Sequence, residues 1–495
     1  MNYLSKERFL QLAEPGKWMP VYGELPLKEE NPFSVYLKIK EGRYSFLLES
    51  GRVDGKLGCY SFIGSNPLVT VRSKGLKTRV VRQDGSTWEA EDKPLKVLKQ
   101  VMADYQGIKL PELPLFQGGA AGFFSYDLGR FFEVLPVLAE DDLNIPELYF
   151  MVVDEVIIID EAKQKLYVVA NVLVDDDPEA DYAAALAKIK KLEERLASPL
   201  AWEPFVLPEN PQMADLEMKS NFSKEEYEEA IRKVIEYVKA GDVFQVNISQ
   251  RVGTKIDCEP LRIYEVLRQV NPSPFGGFLD FGEMQLVSCS PERLIRLEDG
   301  CVETRPIAGT RPRGKNPEED LSLENELVNN IKERAEHIML VDLERNDLVR
   351  VCQYGTVRVD ELMVIERYSH VMHIVSNVTG RIKEGKDGFD LVRACFPGGT
   401  ITGAPKVRCM EIIEELEPVR RGPYTGSFGY FNFAGDLDLN IIIRTIVIKD
   451  GMAYAQAGGG IVYDSIPERE YYETLFKAEA MLKSIRIVEG SKKSC

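Results

Sequence analysis

The sequence predicts an α+β fold built on antiparallel sheets, and three observations carry that prediction. Strand-like and helix-like runs do not alternate one by one, which disfavours Rossmann and TIM patterns. Residues 1 to about 175 are strand-rich, with short apolar or alternating runs separated by Gly, Asp and Asn turns. Near the other end, Gly426–Phe433 and Leu439–Ile448 pair naturally as hairpin strands, the second carrying Arg444.

In order, the early strand candidates are Tyr44–Leu48, Leu68–Val71, Met151–Ile159 and Leu166–Val172. Gly118–Phe124 is a small-residue strand, a composition that marks close approach of backbones. A helix at Tyr182–Leu196 and a Pro-rich extended piece at Trp202–Pro211 place a boundary near 200–220. The expected division is a strand-rich N-terminal part, 1–200, and a main part, 215–490. Ser223–Ala240 is an amphipathic helix with a Ser223/Glu226 capping box, a buried stripe of Tyr227, Ile231, Val234 and Val238, and Gly241 as its stop.

Val243–Arg251 alternates like a strand, Tyr264–Gln269 is helical, and Asn271–Phe275 is a rigid turn. Strands at Phe278–Leu297 and Cys301–Pro306 lead to a basic loop, Ala308–Gly314. A long helix is expected from Pro317 to about Asp347, with a core stripe of Leu327, Ile331, Ala335 and Ile338 and with Asp342 buried beside a partner. A strand-like run from Met363 to Val378 carries His370 and His373, and Thr400–Pro405 enters a helix ended by Pro418. The last helix follows Gly458–Gly460, with Ser465 and Glu468 as its capping box and Pro467 in its first turn.

Composition excludes several classes. The chain of 495 residues is 44% hydrophobic and 28% charged, the balance of a globular protein. A net charge of −17 argues against a nucleic-acid or anionic-membrane surface, while leaving room for an anionic ligand in a local basic pocket. No run of about twenty apolar residues is present, and the N-terminus lacks an apolar signal core. Eight scattered cysteines without a C-x-x-C pair fit a reducing cytoplasm. With three histidines, His337, His370 and His373, a His-rich metal site is disfavoured.

Two helices each present Glu-x-x-Glu on one face: Glu333 with Glu336, and Glu470 with Glu473. Facing each other, these carboxylates repel unless a hard cation lies between them, and Mg²⁺ suits an all-oxygen set better than zinc. Taken alone, the pattern is equally that of surface helices with routine charge pairs. Arg444 and Lys477 supply positive charge for an anionic group, and Gly309 and Gly458–Gly460 let backbone N–H groups approach oxygens. Thr310, Thr400 and Tyr424 are hydroxyl donors. No P-loop or G-x-S-x-G pattern is present.

Six ordered motifs make the chain recognisable: Ser290–Glu292, Pro306–Arg311, Glu336–Asp347, Gly399–Lys406, Gln456–Val462 and Glu470–Thr474. Together they resemble the chorismate-utilising enzymes, and most of all component I, the large subunit, of anthranilate synthase. The resemblance implies that family's fold, with antiparallel sheets packed as a sandwich and helices outside. It implies Glu336 and Glu473 as direct Mg²⁺ ligands, with Glu333 and Glu470 behind them, and Arg444 and Tyr424 on the enolpyruvyl carboxylate. Glu292 is implied as the general acid at the C4 hydroxyl, and His373 as the residue for pyruvate loss and aromatisation, with Thr400 beside them. His370, on the opposite strand face, carries no role.

Relatives differ in nucleophile. Aminodeoxychorismate synthases carry a lysine where this chain has Ala308, and isochorismate and salicylate synthases one that matches Gln245. Neither residue can attack or deprotonate, which points to ammonia as nucleophile and anthranilate as product. No glutaminase signature is visible, so a separate glutamine amidotransferase subunit is the expected ammonia source, assembled as a heterotetramer. Leu48, Glu49 and Ser50, joined by Pro274 and Phe275, resemble the family's tryptophan feedback site, although Phe275-Gly276-Gly277 departs from the Tyr-Met type of some members.

Overall fold

The computed structural model describes residues 2–50, 60–368 and 371–491. His370, and Gly51 at the end of the segment that carries Leu48, Glu49 and Ser50, lie outside the described residues. Among the described residues, twenty-five strands form two sheets of 13 and 12, and every strand pair is antiparallel. The α+β expectation is met.

The first sheet runs through Ser45–Glu49, Phe275–Asp280, Met284–Ser290, Thr445–Lys449, Met452–Ile461 and Gln245–Lys255. The second runs through Ile307–Pro312, Val371–Arg381, Cys301–Thr304, Arg293–Glu298, Leu437–Asn440, Ser427–Asn432, Gly119–Phe124 and Leu148–Val153. Strands from both sides of residues 200–215 therefore share both sheets. The sheets face each other across aromatic contacts such as Phe123 on Phe281 at 5.2 Å and Phe62 on Tyr430 at 5.3 Å between ring centroids. Helices pack on the outer faces: Pro467–Ser491 and Pro260–Val270 on the first sheet, and Ile331–Val351 and Gly388–Cys395 on the second. Among the described residues, no helix is long and apolar enough to cross a membrane.

Small residues make the close approach that the strand Gly119–Phe124 needs. A Cβ at Gly122 would lie 2.1 Å from the Tyr149 carbonyl oxygen, and one at Gly119 would lie 2.0 Å from that of Phe431. The helix Lys224–Ala240 forms with the expected Ser223/Glu226 capping box and ends at Gly241 in the left-handed region, φ 82°.

Four local expectations are corrected. The long helix is two, Pro317–Asn329 and Ile331–Val351, because Asn330 is extended and its side chain caps the second by accepting from the Glu333 N–H. Of the expected stripe Leu327 alone is buried: Ile331 is 84% exposed, Ile338 is also exposed, and Asp342 pairs with Arg345 at the surface. The face that packs inward instead carries His337, Leu340, Val341, Glu344, Asp347, Leu348 and Val351. The expected strand Leu439–Ile448 is also two: Leu437–Asn440 belongs to the second sheet and Thr445–Lys449 to the first. The chain crosses between sheets there, and Arg444 sits at the corner with φ 53°, an unusual backbone for any residue but glycine. Finally, the last helix starts at Pro467, and Ser465 is no capping-box partner of Glu468. The Ser465 hydroxyl accepts from the Val462 N–H, and Glu468 pairs with Lys224 instead.

Candidate active site

A cleft of about 710 Å³ opens where the strands Gln245–Lys255 and Met452–Ile461 of the first sheet meet Ile307–Pro312 and Val371–Arg381 of the second. The helices Ile331–Val351 and Pro467–Ser491 close its flanks. Glu292, Gly309, Thr310, Glu333, Glu336, His373, Thr400, Tyr424, Arg444, Gly458, Gly460, Glu470, Glu473 and Lys477 all line it. Gly459 does not. It lies beneath the acids, where a Cβ would come 3.3 Å from Glu470 Oε2.

His373 is fixed by the register of its sheet. It pairs with Thr310 across a bulge at Gly309, whose φ is 75°. The bulge turns the Gly309 carbonyl to 3.3 Å from His373 Nδ1, and the Thr310 hydroxyl lies 2.9 Å from the same nitrogen. A carbonyl can only accept, so Nδ1 carries the proton and Nε2 is left as a free acceptor. Burial, with Arg444 adding to it against the Gly309 carbonyl, lowers the imidazole to about 4. His373 is a neutral base at physiological pH.

Glu292 has the opposite character. Burial above all pushes its carboxyl up to about 8, opposed first by the Thr400 hydroxyl, then reinforced by Glu344 and opposed slightly by the Ile307 N–H. Thr400 is close enough to favour the carboxylate, yet its hydroxyl makes no hydrogen bond of ordinary geometry, and Glu292 Oε1 is likewise without a partner. Glu292 therefore holds a proton at pH 7 beside a neutral base, the separation that acid–base chemistry requires.

The acidic faces of the two helices meet in the cleft. Burial and then the neighbouring Glu333 raise Glu336; burial raises Glu470, opposed by the Ser465 hydroxyl and reinforced by Glu473. Three of the four carboxylates have a local partner: Gln245 Nε2 donates to Glu336 at 3.1 Å, Arg311 pairs with Glu333 at 3.2 Å, and Lys477 pairs with Glu473 at 2.7 Å. Among the described residues, no three of them come together as a preassembled ligand set. The donors nevertheless fit Mg²⁺ in their chemistry: four carboxylates line one cleft, with Glu336 and Glu470 held up by burial and acidic neighbours.

Arg444 Nη1 donates to the Lys477 carbonyl. Among the described residues, no carboxylate forms an ion pair with this largely buried guanidinium, which leaves it available to an anion. Lys477 is less free than the sequence suggested, since its ammonium also donates to the Gly458 carbonyl at 3.0 Å.

A second cavity of about 460 Å³ lies on the other side of the Ser290–Arg293 segment. Leu48, Glu49, Ser50, Pro274 and Phe275 all line it. The Ser50 hydroxyl donates to the Pro274 carbonyl at 2.9 Å, which joins the two segments as expected. Glu49 is less available than the sequence suggested, because Arg268 and the Tyr264 hydroxyl hold its carboxylate. Glu292 faces the first cavity and the next residue, Arg293, faces the second.

A model of the chorismate binding enzyme family matches residues 44–483. The chain belongs to that family. Anthranilate synthase component 1 of Acetivibrio thermocellus is 46% identical over 488 residues, covering 98% of this chain and 99% of that one. Aminodeoxychorismate synthase component 1 of Bacillus subtilis is 44% identical over 483 residues, covering 96% and 98%. Among solved structures, anthranilate synthase component I from Streptococcus pneumoniae aligns with a TM-score of 0.76 at 32% identity, over 92% of this chain and 99% of that one.

Several lining residues of this family member escaped sequence reasoning. Asn247 lies two positions after Gln245 on the same face of an alternating strand, a period that could have flagged it. Its Oδ1 is buried without a partner, as is Gln245 Oε1. Lys332 and Phe476 also line the cleft, next to or one turn from the named acids, with Lys332 held by Asp464 at 2.9 Å.

Proposed function

We propose that this protein is the large subunit of an anthranilate synthase, acting in the cytoplasm on chorismate with ammonia as nucleophile. One observation carries the choice of nucleophile. The cleft holds a protonated acid and a neutral base, but alanine stands at 308 and glutamine at 245, and its two lysines, Lys332 and Lys477, are paired with Asp464 and Glu473. No side-chain amine is therefore placed to attack the ring in ammonia's stead.

The substrate's enolpyruvyl carboxylate binds Arg444, with the Tyr424 hydroxyl and the Gly458–Gly460 floor beside it. Glu336 and Glu473 hold Mg²⁺, with Glu333 and Glu470 supporting them; the bound ion supplies positive charge for the ring carboxylate. Glu292 gives its proton to the C4 hydroxyl, which leaves as water while ammonia bonds to C2. His373 Nε2 then takes the C2 proton as the C3–O bond breaks, and the enolpyruvyl group gains a proton and departs as pyruvate. A glutamine amidotransferase subunit supplies ammonia in a heterotetramer. Tryptophan occupies the second cavity as a feedback inhibitor.

The purified chain with chorismate, an ammonium salt and Mg²⁺ is expected to release fluorescent anthranilate and equimolar pyruvate. Chelation should stop both, and added Mg²⁺ should restore them. The 44% identical aminodeoxychorismate synthase sets the second reading, under which a stable 4-amino product forms and no pyruvate appears. Tryptophan at saturating concentration should lower the wild-type rate; an unchanged rate would remove the regulatory part alone.

A further inference from the structure

One buried ion pair ties three walls of the cleft together. Glu417 and Arg421 follow the helix Lys406–Leu416, and their side chains are 2% and 1% exposed. Neither is among the residues that line the cleft. Arg421 clamps Glu417 through two nitrogens, at 2.9 and 2.7 Å, and the same carboxylate accepts from the Ser249 N–H and hydroxyl at 2.8 Å each. The rest of the guanidinium turns to the site. Arg421 Nη2 donates to the Asn247 carbonyl at 2.7 Å, and Nη1 donates to the Ile401 carbonyl at 3.0 Å and to the Thr425 hydroxyl at 3.2 Å. All five N–H groups of the fork are thereby used.

Each acceptor leads to a residue that lines the cleft. Asn247 is two positions from Gln245 on the strand Gln245–Lys255. Ile401 follows Thr400 in the turn Gly399–Ile401. The Thr425 hydroxyl donates to the Tyr424 carbonyl at 2.6 Å, and the guanidinium itself lies 5.6 Å from the centre of the Tyr424 ring. Thr425 is held at φ 59°, a costly backbone for a β-branched residue that persists only where its surroundings impose it. A buried ion pair is weak support for stability, since apolar residues of similar volume often serve as well. Apolar residues cannot fix three backbone segments at set distances by directed bonds, and this fork does.

We propose that Arg421 is a positioning residue for the reaction: its fork, held by Glu417, sets the spacing of the Thr400 turn, the Gln245–Asn247 strand and Tyr424, and so aligns the ring of chorismate between Glu292 and the incoming ammonia. Arg421 touches no substrate. Its N–H groups are spent on other partners than Arg444 and the four acids, which answer the two carboxylates of chorismate. Binding is therefore left alone, and the chemical step carries the effect. This rests on the reading of the cleft given above.

The test is the paired variant Glu417→Gln/Arg421→Met. It removes both buried charges together, and glutamine still accepts from Ser249, so the melting temperature should stay near that of wild type. With Mg²⁺ and no ammonium, it should bind as much chorismate per chain as wild type, with the same affinity. With ammonium, kcat counted per chorismate bound should fall by about 10²-fold, the scale of a misplacement of about 1 Å, while KM for chorismate is unchanged. A kcat close to that of wild type would overturn the proposal and leave Arg421 as the charge partner of Glu417 alone. So would a rate loss matched by an equal loss of bound chorismate, the result of fewer folded sites. If the paired variant does not fold, Arg421→Lys decides by the same count, because lysine keeps a charge beside Glu417 but has no fork to span the three other acceptors. Wild-type chain that makes no anthranilate would instead refute the function itself.

Discussion

Replacing Glu292 with glutamine should lower anthranilate formation by roughly 10²–10⁴-fold, the span typical of a lost general acid. The affinity for chorismate should change little, because the carboxyl group acts on the leaving hydroxyl and not on either anchoring carboxylate. Stability should change little as well. Burial keeps Glu292 protonated up to about pH 8, so the native side chain is already neutral, and an amide of the same shape replaces it without removing a charge. The wild-type rate should decline on the alkaline side as Glu292 loses its proton, and that decline should vanish from the residual rate of the variant. Steady-state kinetics by anthranilate fluorescence, beside a thermal melt, separates these outcomes. A near-normal rate would mean that water or another donor protonates the hydroxyl.

His373→Ala should split the reaction at its midpoint. Chorismate should still be consumed and ammonia added, but anthranilate and pyruvate should fall by about 10²–10⁴-fold while the amino intermediate accumulates. Chromatography of the products, with pyruvate followed separately, gives the answer. Normal anthranilate output would show that another group removes the C2 proton. The pH dependence has a distinct sign. A base whose conjugate acid sits at about 4 stays competent as pH falls through the range where ordinary histidines protonate, so no acid limb near 6.5 should arise from this residue. Thr310 and the Gly309 carbonyl hold the ring, so the loss reflects a missing nitrogen in an intact wall.

Much of this site was legible because helical period and glycine placement are local signals. Glu-x-x-Glu on two helices and the triple glycine can be read without a structure; that a Cβ at Gly458 or Gly460 would collide with Asn247 or Gln245 takes the folded chain. The capping box at Ser223 and Glu226 was equally local. What escaped depends on partners distant in sequence. The expected strand around Arg444 is mostly apolar on both sides of it, and nothing in its pattern says that its halves belong to different sheets. Asn330 reads as an ordinary helix residue until its side chain is seen capping the next helix. Glu344 and Asp347 sit in a charged run that looks solvent-facing, and only the docking of that helix on the second sheet buries them. The same docking inverts the expected core stripe and leaves Ile331 outside.

The partition between the two cavities is one residue thick at Glu292 and Arg293, and the register that pairs Phe275 with Ser290 ties its far side to the strand that leads into it. Arg293 is clamped to Asp438 through two nitrogens, at 3.0 and 3.1 Å, and stacks 5.3 Å above the Phe275 ring. A ligand seated on Phe275 thus leans on the residue covalently joined to the acid. Linkage then runs both ways: whatever factor an inhibitor in the second cavity imposes on chorismate binding, chorismate must impose on the inhibitor. If an inhibitor binds there, the concentration that half-fills the second cavity must rise with chorismate, but by no more than that same factor.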